Sequence, residues 1–315
     1  MKTSFQLLAI GIAFLALQFA PAPAAAGEQK AVLITGASTG IGRNMAETLA
    51  AKGYLVYAGA RKDKDLAELD AIENVKAVRL DVTRQEDVDA AVALVRGEGH
   101  GLWGLVNNAG VAISGPVASL EDSELDFLLN VNVNGVVRVT RAFLPLIIES
   151  KGRIVTTGSI SGILSSASLP AYSMSKHAME AFTDSLAAEM ASQGVGVSVI
   201  EPGNYKSRIR RTAVGRIAST IESSGGEMPE EVKERIEGIT EFEVGLDEPD
   251  DVSEAALHAL FADTPHRRYM VVPNEREADM TIRKAIEELV QLNTWGPYSY
   301  SRDELVQMLD EALAN

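Results

Sequence analysis

The stretch AVLITGASTGIG, residues 31–42, carries the strongest signal for the fold. Its first four residues form an apolar run that predicts a buried strand, and a turn with three glycines follows directly. Such a turn, when a helix begins behind it, exposes backbone N–H groups that bind phosphate at the positive helix end. The alternative is a tight turn without a ligand, but the strand before it and the helix after it favour a nucleotide site.

Short apolar runs alternate with helical patterns along the rest of the chain, as in βαβ units with a parallel sheet covered on both faces. Helices are expected after Gly40, Arg84, Glu121, Ala171 and Pro249. We therefore predict an α/β fold with a Rossmann-type, doubly wound, parallel seven-stranded sheet, whose functional loops meet at the carboxyl ends of the strands. The predicted strands are residues 31–35, 55–58, 76–80, 102–106, 153–157, 195–200 and 269–272.

The composition excludes several classes of function. The chain of 315 residues has a net charge of −15, so its surface should repel nucleic acid, which we do not expect as a partner. It contains no cysteine, which excludes disulfides, thiolate catalysis and sulfur-ligated metals. The four histidines are dispersed without a paired ligand spacing, so no metal site is predicted; they are His100, His177, His258 and His266.

Both ends of the chain lie outside the alternating pattern. Residues 1–26 combine Lys2, an apolar run and a small-residue series, which is typical of a cleaved signal peptide; an uncleaved membrane anchor is the alternative. We expect an exported, periplasmic or secreted, or membrane-anchored protein, with a cytoplasmic location left open. Residues 203–247 are predicted to form a lid inserted in the domain, and residues 275–315 a helical C-terminal extension.

The residues after the second strand bear on the choice of cofactor. NAD enzymes usually place a carboxylate there for the ribose hydroxyls, whereas this chain has Ala60 followed by Arg61 and Lys62. Arginine pairs bidentately with phosphate, so the sequence favours NADP, with NAD as the alternative. A simple solvated loop would explain the same residues, and Asp63 lies close by.

Tyr172 and Lys176 are four residues apart and therefore share one helix face. A nearby ammonium favours the phenolate form of tyrosine, which would suit Tyr172 to proton transfer. Ser159, at the end of the fifth strand, is placed to donate a hydrogen bond to a substrate oxygen. The alternatives are a surface helix with an extended lysine, and a serine that only caps a turn.

Together these features resemble the short-chain dehydrogenase/reductase family. The resemblance is carried, in the family's order and spacing, by the glycine-rich turn, Asn-Asn-Ala-Gly at 107–110, Ser159, Tyr172, Lys176 and Pro-Gly at 202–203. It covers about residues 30–272 and implies the strand order 3-2-1-4-5-6-7 within a single domain, residues 27–274.

The resemblance also implies roles for individual residues. Ser159, Tyr172 and Lys176 would be catalytic, with Asn132 supporting a water-linked proton relay through Lys176. Tyr172 and Lys176 would also contact the cofactor. The other implied cofactor-binding residues are Gly36, Ser38, Thr39, Gly40, Ile41, Gly42, Arg61, Asp81, Val82, Asn108, Ala109, Gly110, Pro202, Gly203 and Ser207.

The predicted function is therefore NADP-dependent hydride transfer between an alcohol and its carbonyl compound. Residues 172–206 look most like members that act on retinoids and hydroxysteroids, which implies a bulky apolar small-molecule substrate. Two departures weaken a hydroxysteroid assignment: Ser207 replaces a threonine common in the family, and the lid holds Arg208, Arg210 and Arg211. A nicotinamide-binding redox sensor or scaffold is the alternative function, and a homodimer or homotetramer is the family-based expectation.

Overall fold

A computed structural model describes residues 29–211, 221 and 227–314 of the chain. Seven parallel strands form one sheet in the order β3-β2-β1-β4-β5-β6-β7, which confirms the predicted fold class and strand order. The strands are β1 Ala31–Ile34, β2 Leu55–Ala60, β3 Val75–Arg79, β4 Gly104–Asn107, β5 Arg153–Thr157, β6 Gly196–Pro202 and β7 Arg268–Val271. The order reverses between β1 and β4, which brings the loops after these strands together at one edge.

Helices cover both faces of the sheet, and all five predicted helix starts agree with the structure within one or two residues. In chain order the helices are α1 Gly40–Ala51, α2 Asp63–Asp70, α3 Gln85–Glu98, α4 Asp122–Leu129, α5 Val136–Ser150, α6 Pro170–Met190, α7 Glu230–Val244, α8 Asp250–Phe261, α9 Glu275–Leu292 and α10 Arg302–Leu313. The sequence prediction missed α2 and α7. Both are rich in charged residues, so their apolar periodicity is weak.

Two apolar clusters hold the sheet between the helices. On one face, Phe143 of α5 and Leu186 of α6 belong to the cluster that includes Leu33 and Leu105 of the sheet. On the other face, α1 and α8 pack against alternate strand residues such as Val32. Because inner strands such as β1 and β2 are buried on both faces, their sequences read as continuous apolar runs rather than alternating ones.

The strands β2 and β6 extend two residues further toward the carboxyl edge than predicted. Ala60 pairs with Arg79 in the sheet, and Pro202 pairs with Val271. These added residues carry the chain directly into the loops that contain Arg61 and Gly203. The sheet itself therefore fixes where both loops begin.

A π-helical turn, Asn130–Gly135, joins α4 to α5. A Cβ on Gly135 would lie 2.7 Å from Val82 Cγ2, so the close approach of this turn to the loop after β3 requires glycine. Such turns widen a helix locally and often occur at functional sites. Here the turn contains Asn132.

The described part of the chain contains one stretch long and apolar enough to cross a membrane, Asp122–Ser150. Half of it is buried inside the protein, where Phe143 and Ile147 belong to the core. This stretch is therefore accounted for as core helix. The predicted signal peptide or anchor, residues 1–26, lies outside the described residues.

The C-terminal segment forms the two helices α9 and α10. Asn274 caps α9 by accepting a hydrogen bond from the Glu277 backbone, and Ser301 and Glu304 form a capping box at α10. Trp295, in the connection between the helices, is 92% exposed. Only the first turns of α9 approach the carboxyl edge of the sheet, through residues 274, 276, 277 and 280.

Candidate active site

A cavity of about 980 Å³ opens at the carboxyl edge of the sheet. Except for Asn132, every site residue predicted from the sequence lies in its wall. These residues are Gly36, Ser38, Thr39, Gly40, Ile41, Gly42, Arg61, Asp81, Val82, Asn108, Ala109, Gly110, Ser159, Tyr172, Lys176, Pro202, Gly203 and Ser207.

The glycine-rich turn is locked by Asn108. The Asn108 amide donates to the carbonyl oxygens of Thr35 and Gly36 at 3.0 and 3.2 Å. A Cβ on Gly42 would lie 2.3 Å from that amide nitrogen and 2.5 Å from the Gly36 oxygen. Gly36 itself has a φ of +67°, which other residues rarely adopt. The turn thus requires glycine at these positions. Backbone atoms rather than side chains therefore form this part of the cavity wall.

The loop after β2 brings Arg61 toward the loop after β3. Arg61 Nη1 lies 3.8 Å from Asp81 Oδ2, and the Arg61 side chain is more than half exposed. Asp63, whose proximity weakened the sequence argument for NADP, is paired with Arg79 instead. Burial acts to raise the pKa of Asp81, but hydrogen bonds from Thr83 and the charge of Arg61 outweigh it and leave the pKa below its ordinary value.

Tyr172 of α6 and Ser159, after β5, meet in the cavity wall. Burial raises the pKa of Tyr172, while a hydrogen bond with Ser159 and the positive charge of Arg210 oppose that rise. Ser159 also accepts a hydrogen bond from the Ser161 backbone at 3.1 Å, so it caps a short turn as well. The two interpretations of Ser159 from the sequence, turn cap and site residue, are therefore compatible.

Lys176 lies one helical turn after Tyr172 and is almost fully buried. Its Nζ donates to the Thr157 carbonyl oxygen at 2.8 Å and lies 5.6 Å from the centre of the Tyr172 ring. Burial lowers the pKa of Lys176 to about 8, against the raising effect of Glu180. Thr157, the last residue of β5, thus fixes the Lys176 ammonium near the Tyr172 ring.

Asn132 lies beneath the cavity wall rather than in it. Its side-chain oxygen accepts from the Val111 backbone, and its amide donates to the Val111 carbonyl and to Ser175. These bonds occupy the side chain and tie the π-helical turn to the loop after β4. Asn132 reaches Lys176 only through neighbouring groups, so its predicted relay role stays a prediction.

Sequence reasoning missed a hydrogen-bonded chain on the other side of the cavity. Glu277 of α9 accepts from both the backbone N–H and the side-chain amide of Asn204, at 2.9 Å each. The Asn204 oxygen in turn accepts from Arg210. Asn204 follows the recognisable Pro-Gly pair, but nothing in the local pattern links it to a residue 73 positions later.

The charged lining of the cavity is mainly basic, although the chain as a whole is strongly acidic. Among the described residues, the acidic members of the wall are Asp81 and Glu277. The basic members are Arg61, Lys176, Arg208, Arg210 and Arg276. The cavity therefore presents a positive potential to anionic ligands such as a phosphorylated cofactor.

A buried pair of carboxyl groups lies behind the Pro202 loop. Glu201 lies near the end of β6 next to Glu180 of α6, and Arg268 Nε lies 3.1 Å from Glu180 and 3.6 Å from Glu201. Burial and the charge of Glu180 raise the pKa of Glu201 to about 8. The raised pKa favours the protonated form of Glu201 beside the Glu180 carboxylate.

Comparisons with known proteins match most of the chain. The family described as short chain dehydrogenase matches residues 30–216. A mitochondrial D-beta-hydroxybutyrate dehydrogenase of Rattus norvegicus is 36% identical over 79% of this chain and 78% of its own length. Retinol dehydrogenase 7 of the same species is 36% identical over 66% of each chain. The predicted likeness to retinol dehydrogenases is thereby confirmed.

Solved structures of similar fold include complexes with nicotinamide nucleotides. A short-chain dehydrogenase/reductase of Burkholderia phymatum in complex with NAD has a TM-score of 0.72 and 25% identity, covering 87% of this chain and 99% of its own. An actinorhodin polyketide ketoreductase with NADPH has a TM-score of 0.63 and 26% identity, covering 77% and 95%. Relatives of this fold thus bind either nucleotide.

Proposed function

The chain belongs to the short-chain dehydrogenase/reductase family, an oxidoreductase family acting on CH–OH groups with NAD or NADP, and we propose that it is an NADP-dependent enzyme that uses Tyr172 as its general acid and base. It would interconvert a secondary or apolar alcohol and its carbonyl compound. The observation that carries the proposal is the meeting of Ser159, Tyr172 and Lys176 in the wall of the same cavity that begins at the glycine-rich turn.

The residues of the cavity fit a nicotinamide dinucleotide. A Cβ at Gly36 or Gly42 would collide with Ala109 or Asn108, so the turn keeps a bare backbone, and the N-terminus of α1 follows it directly. Nicotinamide supplies the site that accepts or gives the hydride when the cofactor is bound. Asp81 and Val82 suit the adenine side, residues 108–110 the adenosine ribose, and Pro202, Gly203 and Ser207 the nicotinamide side.

Tyr172 removes the proton of the substrate hydroxyl in oxidation and returns it in reduction. Its hydrogen bond with Ser159 supports a geometry in which both hydroxyls face one substrate oxygen. Lys176 holds its charge behind the tyrosine and, by family resemblance, also holds the nicotinamide ribose. Asn132 supports the water-linked relay by fixing the backbone of the π-helical turn.

The preference for NADP rests on Arg61. The residue before it, Ala60, carries no carboxylate to repel a 2′-phosphate, and the nearby Asp63 is paired with Arg79. Arg61 is more than half exposed and contacts Asp81 only at 3.8 Å, so its guanidinium can turn toward a phosphate. NAD remains the alternative cofactor.

The substrate is a small molecule, and the described wall leaves two chemical classes open. One relative's name specifies hydroxybutyrate and another's retinol. The apolar lining suits a bulky apolar alcohol, as the sequence predicted: Leu164, Leu169, Ile209, Ile239, Phe242 and Met280. The arginines of the same wall suit an acidic substrate.

Localisation and assembly complete the proposal. Residues 1–26 would direct export or anchor the protein, residues 27–274 would form the catalytic domain with a lid at about 203–247, and residues 275–315 the extension. The described residues of the 203–247 segment that line the cavity are Gly203 to Arg210, except Lys206, together with Ile239 and Phe242. We further propose a homodimer or homotetramer formed through α5 and α6.

The proposed function is tested by following nicotinamide absorbance during incubation of the chain from Gly27 with NADP or NAD. The substrates are a panel of secondary alcohols that includes 3-hydroxybutyrate and a hydroxysteroid. Retinol is added as an apolar primary alcohol. Turnover that favours NADP is expected. Turnover with NAD alone would overturn the cofactor preference. Tight nucleotide binding without hydride transfer to any member of a broad panel would favour the redox-sensor alternative.

A further inference from the structure

We propose that Arg210 binds a negatively charged group of the substrate, and that Glu277 of the C-terminal extension is the positioning residue that holds Arg210 through Asn204. The inference rests on the proposed function, because it specifies which alcohols or carbonyl compounds the Tyr172 site takes. Glu277 lies beyond the part of the chain that matches the family, whereas Asn204 and Arg210 lie within it.

Arg210 lies on the substrate side of the cavity. It lines the cavity wall together with Tyr172, and its positive charge acts to lower the pKa of Tyr172 against the effect of burial. Its guanidinium carbon also lies 4.8 Å from the centre of the Phe242 ring, which covers one side of the group. A substrate whose oxygen contacts Tyr172 would therefore share the cavity with the Arg210 guanidinium.

The neighbouring arginines have different surroundings. The Arg208 backbone lies next to Gly40, on the phosphate side of the cavity. Arg211 is paired with the buried carboxylate of Glu243, at 3.0 Å. Of the three arginines in this segment, Arg210 is the one whose charge acts on the catalytic tyrosine.

Asn204 and Glu277 fix the position of Arg210. Both carboxylate oxygens of Glu277 accept hydrogen bonds from Asn204, which leaves the Asn204 oxygen facing Arg210. The contact is close: a Cβ on Gly203 would lie 2.1 Å from Glu277 Oε2. The first turn of α9 is thus fastened to the loop on the nicotinamide side.

This arrangement suits a carboxylate. A guanidinium has five N–H donors in a fork that matches a carboxylate bidentately, and the bond to Asn204 uses one of them. Glu277 keeps its negative charge, but the basic residues of the described wall outnumber the acidic ones, so the cavity keeps a net positive character. An anionic group near the carbinol would be oriented by Arg210 before reaction.

The first test compares 3-hydroxybutyrate with its neutral methyl ester, which share one carbinol and differ in charge. We expect the native chain to prefer the acid. Arg210→Gln should lower kcat/KM for the acid by about 10- to 100-fold, mostly through KM, and change it little for the ester. Equal losses for both substrates, or none, would overturn the assignment of Arg210.

The second test addresses Glu277. Glu277→Gln should raise KM for the acid several-fold while leaving the ester nearly unchanged, because a glutamine cannot accept both Asn204 bonds. Lys206→Gln is the matched control: Lys206 belongs to the same loop, is paired with Glu248 and lies outside the described cavity wall. An equal effect of Lys206→Gln on acid selectivity would contradict the positioning role.

A binding measurement separates this inference from the proposed function. Calorimetry with the full chain in saturating NADP should show that butyrate binds more tightly than butyramide, and that Arg210→Gln removes the difference. This result would stand even if the turnover assay found no substrate, in which case the proposed enzymatic function alone would fail. Equal affinities for butyrate and butyramide in the native chain would overturn the anion site.

Discussion

The cofactor side and the substrate side of the cavity are built in different ways. The cofactor side is formed by consecutive residues that leave β1, β2, β3 and β4, and backbone geometry dominates it. The substrate side combines the loop after β6 with side chains of α7 and α9, which are far apart in sequence. A short motif can encode the first kind of wall, whereas the second exists only in the folded chain.

Tyr172→Phe should produce the largest effect and separate the two sides most cleanly. Removing the hydroxyl takes away the proton-transfer group, so kcat should fall by about 10²- to 10⁴-fold. Nucleotide affinity should fall far less than kcat, because the glycine-rich turn is untouched and Tyr172 is one of many expected cofactor contacts. Steady-state kinetics and a fluorescence titration with NADPH check both results, and undiminished turnover would remove Tyr172 from the mechanism.

Gly42→Ala should disrupt the cofactor side of the cavity and leave the substrate side intact. The new Cβ would lie 2.3 Å from the Asn108 amide, so the turn must shift, and we expect a loss of about 1–3 kcal/mol in the free energy of unfolding. Nucleotide affinity should fall about tenfold or more. Urea unfolding and the NADPH titration measure the two effects.

Gly97→Ala provides the control for that variant. Gly97 lies in α3, where an added Cβ meets nothing within 4 Å, so alanine should leave nucleotide affinity unchanged and stabilise the helix slightly. Equal affinities of the Gly42 and Gly97 variants for NADPH would show that the turn does not hold the phosphates.

Arg61→Gln sharpens the assignment of the cofactor. Loss of a bidentate phosphate contact should weaken NADP binding about tenfold and leave NAD binding almost unchanged. Lys62→Gln, at the neighbouring exposed cation outside the described wall, is the control and should have the smaller effect. An unaltered ratio of kcat/KM values for NADP and NAD in Arg61→Gln would refute the role of Arg61.

Glu201→Gln should have the smallest effect of these variants. Glu201 lies behind the substrate side of the cavity, and its substitution should change the stability of the folded protein. The pKa of Glu201 is raised to about 8, so the folded protein holds a proton that the unfolded chain releases above its ordinary value near 4.5. This contribution to stability is complete below about pH 4.5 and is lost as the pH rises through 8.

A glutamine in place of Glu201 keeps a hydrogen-bond donor but does not titrate. The variant should therefore gain about 1 kcal/mol or more over the native chain above pH 8, or about 2–4 °C in Tm, and less at pH 5. Thermal unfolding from about pH 5 to 9 measures this difference. Parallel curves for the two proteins would show that Glu201 titrates normally.

The same contrast explains which parts of the molecule the sequence could predict. All seven strands and the glycine-rich turn follow from local apolar runs and backbone requirements, which leave a direct trace in the sequence. Tyr172 and Lys176 were recognisable because one helix carries both. These residues need no distant partner to be identified.

The remaining features depend on contacts between distant segments. The π-helical turn at Asn132 is associated with the close approach of Gly135 to Val82, and the Asn204–Glu277 bonds join the sheet edge to the C-terminal extension. The raised pKa of Glu201 depends on Glu180 of another element. No periodicity within one segment could have revealed these pairings.

Transfer of deuterium from substrate to nicotinamide tests most directly whether hydride is transferred in the cavity that contains Tyr172. The native chain is incubated with NADP and 3-hydroxybutyrate or retinol deuterated at the carbinol carbon, and the reduced nucleotide is analysed by mass spectrometry. We expect one deuterium in the nicotinamide ring with at least one of the alcohols, and almost none with Tyr172→Phe over the same time. Nucleotide that binds tightly yet stays oxidised and unlabelled with both alcohols, or equal labelling by the Tyr172→Phe variant, would contradict the proposed mechanism.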